Sequence, residues 1–433
     1  MDRLKRLLRL GLIIPPALAM MGLVLLGAFH LGRLLRTPYA DAAEALGLKQ
    51  THKVRPEKNP WPISTKIIAQ TDISKACETE GKLVQVIGDG RKVTYTIAPK
   101  LQSAARKILR DSELLAGALV MIDVRSGRIL TLAEYRSVEY AEETRPVYFS
   151  ARPPAASLFK IITASALLVK HAAAADTVVC YHGGSSKLLE SHIDDDPGRD
   201  KTCASLSLAM GKSINPVFAK LADKNLSAQE LEEAAAAFGF GEQIPLLYSA
   251  IPEISKIDVP VDRLEFARTA AGFWHANLSP LHAAMIAQAV ANGGRMLGPI
   301  LVEQIEDASG KVEWKAAPGL LRQCTSAEDA EALTSMMVDT VTKGTARRHF
   351  VDRKGLEYIQ DVTVAGKTGS LSQKEPYRFF SWFIGFAPAD EPQVAVASLA
   401  VNGQEWTMKG ASVARELLAK YFFISSRKGE KNR

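Results

Sequence analysis

Residues 153–164 read Pro153-Pro154-Ala155-Ala156-Ser157-Leu158-Phe159-Lys160-Ile161-Ile162-Thr163-Ala164, a Ser-x-x-Lys set where two prolines give way to an apolar run. Prolines are well placed at or just before a helix start, so the stretch predicts a helix opening near Ser157. A spacing of three puts Ser157 and Lys160 on one helix face, within reach of each other. The positive end of the helix dipole favours developing negative charge, which suits a serine that must lose its proton. A lysine accepts that proton only when neutral, so its pKa of ~10.4 must fall towards 7 through burial and nearby cations. Alone the pattern is weak, and Ser425-Ser426-Arg427-Lys428 repeats it in a charged terminal stretch.

Two further motifs lie downstream. Ser213-Ile214-Asn215 precedes a helical run from Pro216. In a shared site Ser213 would pass a proton between Lys160 and an amine, and the Asn215 amide would bind a substrate carbonyl or Lys160. Both residues also make good helix N-caps. Gly366-Lys367-Thr368-Gly369-Ser370 ends a β-branched strand. Glycines weaken a strand and are tolerated where another backbone comes close, and such an edge would pair with an extended peptide. Lys367 and the Thr368 hydroxyl would hold a substrate carboxylate, and the Lys367 charge would lower the pKa of Lys160. Taken singly, the stretch also reads as a Gly-rich strand end turning into a loop at 371–376.

The chain has 433 residues, 47% hydrophobic and 23% charged, which fits an ordinary globular protein and excludes a disordered, collagen-like or polytopic membrane chain. At ~150 residues per domain the length suggests about three units. A net charge of +7 invites a nucleic-acid reading, but the excess sits at the ends. Residues 1–36 carry six basic side chains against one acidic and residues 427–433 four against one, which leaves the body close to neutral. Within that body, alternation predicts a strand at 93–97 and helical spacing a helix from Leu101 to Leu115. A hairpin is expected from Ala118 to Val124 and Arg128 to Ala133, turning at Arg125-Ser126-Gly127. Helical stretches are expected through 156–303, including alanine runs at 172–175 and 234–237. Three strands (Val362–Ser370, Phe379–Phe386, Val394–Val401) and a last helix over 408–422 complete one mixed α/β (α+β) domain over 91–424.

Arg3, Lys5, Arg6 and Arg9 precede an uncharged apolar run from Leu10 to Phe29, long enough as a helix to cross ~30 Å of hydrocarbon. The heavier cationic flank leaves the N-terminus cytoplasmic and exports the remainder of the chain. A cleaved signal peptide is the rival, with Ala40-Asp41-Ala42 as its site. Signals, though, have apolar regions of ~7–15 residues, and this triplet lies beyond Arg33 and Arg36. We therefore expect 1–36 to be a cytoplasmic tip and single transmembrane helix, 37–90 a juxtamembrane stalk or small subdomain, and 425–433 a basic tail. Four cysteines in an oxidising compartment allow three pairings. Cys180 and Cys203 bracket a turn-rich segment and are the expected disulfide. No Cys/His cluster suggests a metal, and Asp194-Asp195-Asp196 lacks the Gly and Glu of a calcium loop, so neither metal nor other cofactor is expected.

Ser-x-x-Lys, Ser-x-Asn and Lys-Thr-Gly in this order form the active-site set of β-lactamases and penicillin-binding proteins. The chain resembles the penicillin-binding protein transpeptidase domain from Tyr95–Gln102 through Val120–Leu130, Leu278–Leu281, Ala291–Gly294, Gly344-Thr345-Ala346 and Trp382–Pro388, over about residues 90–424. The resemblance implies a β-lactamase/D,D-peptidase-like fold, an antiparallel central sheet flanked by helices with a mostly helical subdomain. It implies that Ser157 attacks the D-Ala-D-Ala carbonyl of a peptidoglycan stem peptide. An acyl-enzyme forms, an amine of a second stem peptide takes the acyl group, and β-lactams inhibit by acylating the same serine. The backbone N–H groups of Ser157 and Ser370 would be the oxyanion hole, with Lys367, Thr368, Gly369 and Ser370 binding substrate. Position 370 is more often Thr in the family. The roughly 55 residues between Arg36 and residue 91 are too few for a glycosyltransferase or pedestal domain, so a separate glycosyltransferase is expected as partner. A D,D-carboxypeptidase or endopeptidase would use the same site. A β-lactamase fits less well, since Asn215 stands where class D enzymes are aliphatic and no Glu-x-x-Leu-Asn segment is found. A non-catalytic scaffold is the remaining alternative.

Overall fold

The chain from Ala116 to Asp123 is apolar on both of its alternating faces, and this pattern organises the molecule. The computed structural model describes residues 70–140, 145–184, 187–246, 249–251 and 254–431. Ala118, Val120 and Ile122 join one buried cluster while Leu119 and Met121 join another. The alternation recurs in Ala395, Ala397, Leu399 and Val401 against Val394, Val396 and Ala400. Successive strand side chains point to opposite faces, so such a strand must be covered on both sides.

The sheet comprises β1 Ala116–Asp123, β2 Ile129–Arg136, β3 Ala365–Lys374, β4 Tyr377–Ala387 and β5 Val394–Asn402. Its order is β3-β4-β5-β1-β2 with every neighbour antiparallel. Helices α1 (Pro99–Asp111) and α7 (Gly410–Lys431) cover one face. The other face meets the helical region: α2 (Lys160–Val169), α3 (Leu206–Lys212), α4 (Asn215–Asn225), α5 (Pro280–Ala291) and α6 (Ala327–Thr342). Every residue of α5 from Pro280 to Val290 is buried, as befits a helix apolar all round. Strand β3 is an edge of the sheet beside this region, and an edge leaves one row of backbone groups for an incoming chain.

A second antiparallel sheet runs in order 77–79, 82–86, 92–95, 302–306 and 312–315. Strands 82–86 and 92–95 pair across residue 90, so the later part of the segment expected to be a stalk or small subdomain is built into this sheet. Val93, Tyr95, Ile305 and Trp314 bury its apolar side.

Cys180 and Cys203 are opposite one another on the antiparallel hairpin Val178–Tyr181/Thr202–Ser205 and are bonded. The hairpin interrupts the helical stretch expected over 156–303. The alanine run at 172–175 is not helical either, because the helix ends at Val169 and His171 takes a positive φ of 52° that reverses the chain. The run at 234–237 does lie in the helix Ala228–Ala237, which starts on a Ser227–Glu230 capping box. Helix α7 extends to Lys431 and so takes in much of the expected tail. The apolar run Leu10–Phe29 lies outside the described residues, among which no helix is long and apolar enough to cross a membrane.

Candidate active site

Ser157 lies in a single 3-10 turn, Ala156–Phe159, that feeds directly into α2. Two contacts set this turn. Trp382 Nε1, on β4, donates to the Pro154 carbonyl at 2.9 Å, and the Ala155 N–H donates to Ala276 O at 2.8 Å. Ala156 has a φ of 50°, a conformation that L-residues avoid, immediately before the serine. Beneath it, Gly272 has a φ of 80°, and a Cβ there would fall 2.5 Å from Ala156 O and 2.8 Å from Ser157 Cα. Only glycine lets that loop press against the serine turn.

Lys160 is fully buried one helical turn on. Its Nζ lies 2.9 Å from Ser157 Oγ and 2.7 Å from Asn215 Oδ1, and it also donates to Ala271 O. The Phe218 ring lies beneath it at 5.5 Å. Burial, with the positive charge of Lys367 added, holds its pKa well below the usual lysine range. A neutral amine has two N–H bonds and one lone pair. Two of its partners, an amide oxygen and a carbonyl oxygen, only accept, which occupies both N–H bonds. The lone pair is thereby left for the one partner that can donate, the Ser157 hydroxyl. The arrangement is that of a base aimed at a nucleophile.

Ser213 and Asn215 reach this point from the α3–α4 junction. Neither hydroxyl nor amide caps a helix: Ser213 ends α3 in the left-handed region, with φ 57°, and Ile214 precedes α4 without a side-chain cap. The reversal places Ser213 Oγ 3.0 Å from Lys367 Nζ. Asn215 Nδ2 donates to Gly184 O at 3.3 Å, so its oxygen is turned to Lys160.

Lys367, on β3, is fully buried and also donates to Thr368 O at 2.9 Å. Burial lowers its pKa to about 7. Gly366, beside it, meets the Phe383 ring, where a Cβ would come within 2.3 Å of Cζ. Thr368 Oγ1 lies 2.5 Å from Thr345 Oγ1, and the Thr345 N–H donates to Gly211 O at 3.0 Å. Ser157, Ser213, Asn215, Thr345, Thr368 and Ser370 line one cleft of about 1040 Å³. Lys160 and Lys367 lie beneath its floor, and Gly369 packs towards Ala155 and Leu158.

Several members of the site carry no chemical signature in the sequence. Ala271 supplies a backbone oxygen, Gly272 supplies space and Phe218 a ring, each set by tertiary contact alone. Thr345 had a signal in its Gly-Thr-Ala context but no role. The second Ser-x-x-Lys has Ser425 donating back to Tyr421 O within α7 at 2.9 Å, an ordinary helical bond. Of the run Asp194–Asp196, Asp195 lies 3.3 Å from the buried Lys220 amine, which Asp200 meets at 2.5 Å. Among the described residues no group of three His, Cys, Asp or Glu side chains is arranged to hold a metal.

An antiparallel sheet buried on both faces, with a serine–lysine pair beneath its edge strand, defines a serine acyltransferase of the penicillin-interacting kind. The chain belongs to the penicillin-binding protein transpeptidase family, whose domain model matches residues 117–422. It is 27% identical over 347 residues to the peptidoglycan D,D-transpeptidase PbpA of Mycobacterium tuberculosis, covering 73% of this chain and 68% of that one. It is 26% identical over 354 residues to the stage V sporulation protein D of Bacillus subtilis, covering 76% of this chain and 52% of that one. Among solved structures, the D,D-transpeptidase domain of a peptidoglycan glycosyltransferase from Eggerthella lenta superposes with a TM-score of 0.66 at 26% identity, covering 82% of this chain and 90% of that one. PBPA of M. tuberculosis, known also as a ceftriaxone acyl-enzyme, gives 0.60 at 25%, covering 75% and 79%.

Proposed function

We propose that this protein cross-links peptidoglycan stem peptides through an acyl-enzyme on Ser157. The observation that carries the reading is the three-partner arrangement at Lys160 Nζ, which leaves its lone pair facing Ser157 Oγ. The donor peptide lies along β3, its terminal carboxylate at the Thr368 and Ser370 hydroxyls and within the field of Lys367, with the backbone at Gly369 close beneath. Lys160 takes the Ser157 proton as Oγ attacks the carbonyl of the penultimate D-alanine. The oxyanion that forms is held by the backbone N–H groups of Ser157 and Ser370, each worth ~3 kcal/mol. Collapse breaks the amide bond, and the departing D-alanine nitrogen receives a proton through Ser213. The acceptor amine then attacks the ester, gives its proton back along the same path, and releases the new amide and free Ser157. No cofactor takes part.

A β-lactam presents an amide and a carboxylate in similar relation and would acylate Ser157 in the same way. The location outside the cytoplasmic membrane, with Leu10–Phe29 as anchor, belongs to the same reading, as does a separate glycosyltransferase that supplies the glycan chains.

The test is incubation with a D-Ala-D-Ala stem peptide as donor and a second stem peptide as acceptor. Cross-linked dimer as the main product is the expected result. Hydrolysed donor alone would make the protein a carboxypeptidase, and a folded protein that labelled penicillin does not acylate would end the enzymatic reading.

A further inference from the structure

Beyond Thr345 and Thr368 the cleft continues into a wall that the reaction above does not use. Its lining includes Arg347, Arg348, Arg353 and Lys409, against a single carboxylate, Asp352. Among the described residues none of these four cations has a carboxylate at ion-pair distance, whereas Lys82, Arg128, Arg263 and Arg322 elsewhere do. Asp352 instead accepts the N–H groups of Lys354 and Leu356 in its own turn. The cations feel one another. Lys409 has its pKa lowered by burial and by Arg348, and His349 is pushed down to about 4 by burial together with Arg348, Lys409 and Arg415. Lys409 is held in place over the Trp406 ring at 5.4 Å, where Trp406 stacks on Phe379.

A row of unneutralised cations in a cleft attracts an anion, and planar arginine forks suit carboxylates. The wall lines the same cleft as the Thr368 and Ser370 hydroxyls assigned to the leaving D-alanine carboxylate. The acceptor enters where D-alanine left. We propose that Arg347, Arg348 and Lys409 form an anion subsite that selects acceptors bearing a second carboxylate, beyond the one held at Thr368 and Ser370. The inference rests on the cross-linking reading of the site. A phosphate of the glycan carrier has the same anionic chemistry, and the experiment separates the two.

The full chain, acylated by a D-Ala-D-Ala donor, is offered D-glutamate or D-glutamine. Both carry the first carboxylate, and they differ in having a second carboxylate or a neutral amide. Rates are compared per free amine and as a ratio within each protein, so a general loss of activity cancels. The wild type should prefer D-glutamate ~10-fold, as for a charge-assisted contact, and an R347A/R348A double variant should bring the ratio to within ~2-fold. R348K, which keeps the charge and loses the fork, should fall between them. Equal use of the two acceptors by the wild type, or a ratio unchanged in the double variant, overturns the proposal. Competition by millimolar inorganic phosphate with no D-glutamate preference would assign the wall to a phosphate and also overturn it. Absence of any acyl-enzyme is a different result, since it strikes the cross-linking reading itself.

Discussion

Lys160 Nζ and Asn215 Oδ1 are 2.7 Å apart although 55 residues separate them along the chain. The contact uses one of the two N–H bonds of a neutral lysine and so helps to turn its lone pair towards Ser157. Asn215→Ala should therefore slow penicillin acylation by ~10- to 100-fold, the range for loss of a group that orients a base. Binding should change much less, and stopped-flow acylation against penicillin concentration separates the two. An unchanged limiting rate would deny Asn215 this part.

Lys160 itself is the stricter case. Lys160→Ala should remove acylation to below detection, with Ser157 intact by peptide mapping. Lys160→Arg should fare no better, because a guanidinium keeps its proton at every accessible pH. Acylation surviving in either variant would mean that another group is the base.

The two lysines predict opposite limbs of a pH profile. Lys160 works only when neutral, so acylation rises as pH passes its lowered pKa. Lys367 contributes its charge only when protonated, and with a pKa lowered to about 7 that charge fades above neutrality. The second-order rate constant for a carboxylate-bearing donor should thus be bell-shaped, with its alkaline limb near pH 7. The alkaline limb should flatten when the terminal carboxylate of the donor is replaced by an amide, because the charge then has no partner to lose.

Gly272 tests the packing beneath the nucleophile. A Cβ 2.5 Å from Ala156 O, at a φ of 80°, cannot be accommodated without moving the serine turn. Gly272→Ala should lower acylation ~10-fold or more and reduce unfolding free energy by about 1–3 kcal/mol. Differential scanning calorimetry and acylation kinetics on one preparation report both. A variant with wild-type kinetics would show that the turn is not held by this loop.

The Cys180–Cys203 bond closes a loop with a sequence separation of 23 and lies near the α4 segment that carries Asn215. Its loss in a double Ser variant should cost about 3 kcal/mol of stability through the unfolded chain. Acylation at 25 °C should survive, since of the site contacts only the Gly184 carbonyl that accepts from Asn215 Nδ2 lies in the loop this bond closes. Equal unfolding midpoints in reduced and oxidised protein would contradict this.

What could be read from residues alone was whatever short-range pattern decides. The hairpin of β1 and β2, the late strands β3 to β5 and the last helix are all legible from a turn between strand segments, apolar runs or helical spacing. The motifs holding Ser157, Ser213 and Lys367 are likewise local, as is the reach between Ser157 and Lys160. Local pattern failed at Ala172–Ala175, where good helix formers lie in a turn because the chain reverses at His171. It gave no strands before residue 90, where polar strands join a sheet whose partners lie near residue 302. Only tertiary structure decided that Lys160 is fully buried, that two oxygens from distant segments absorb its N–H bonds, and that four cations line the cleft with no carboxylate at ion-pair distance among the described residues. The sequence by itself determined which side chains are available for proton transfer. Protonation state and direction depend on burial and on contacts between segments far apart in the chain, and those exist only once the sheet and the helical region have packed.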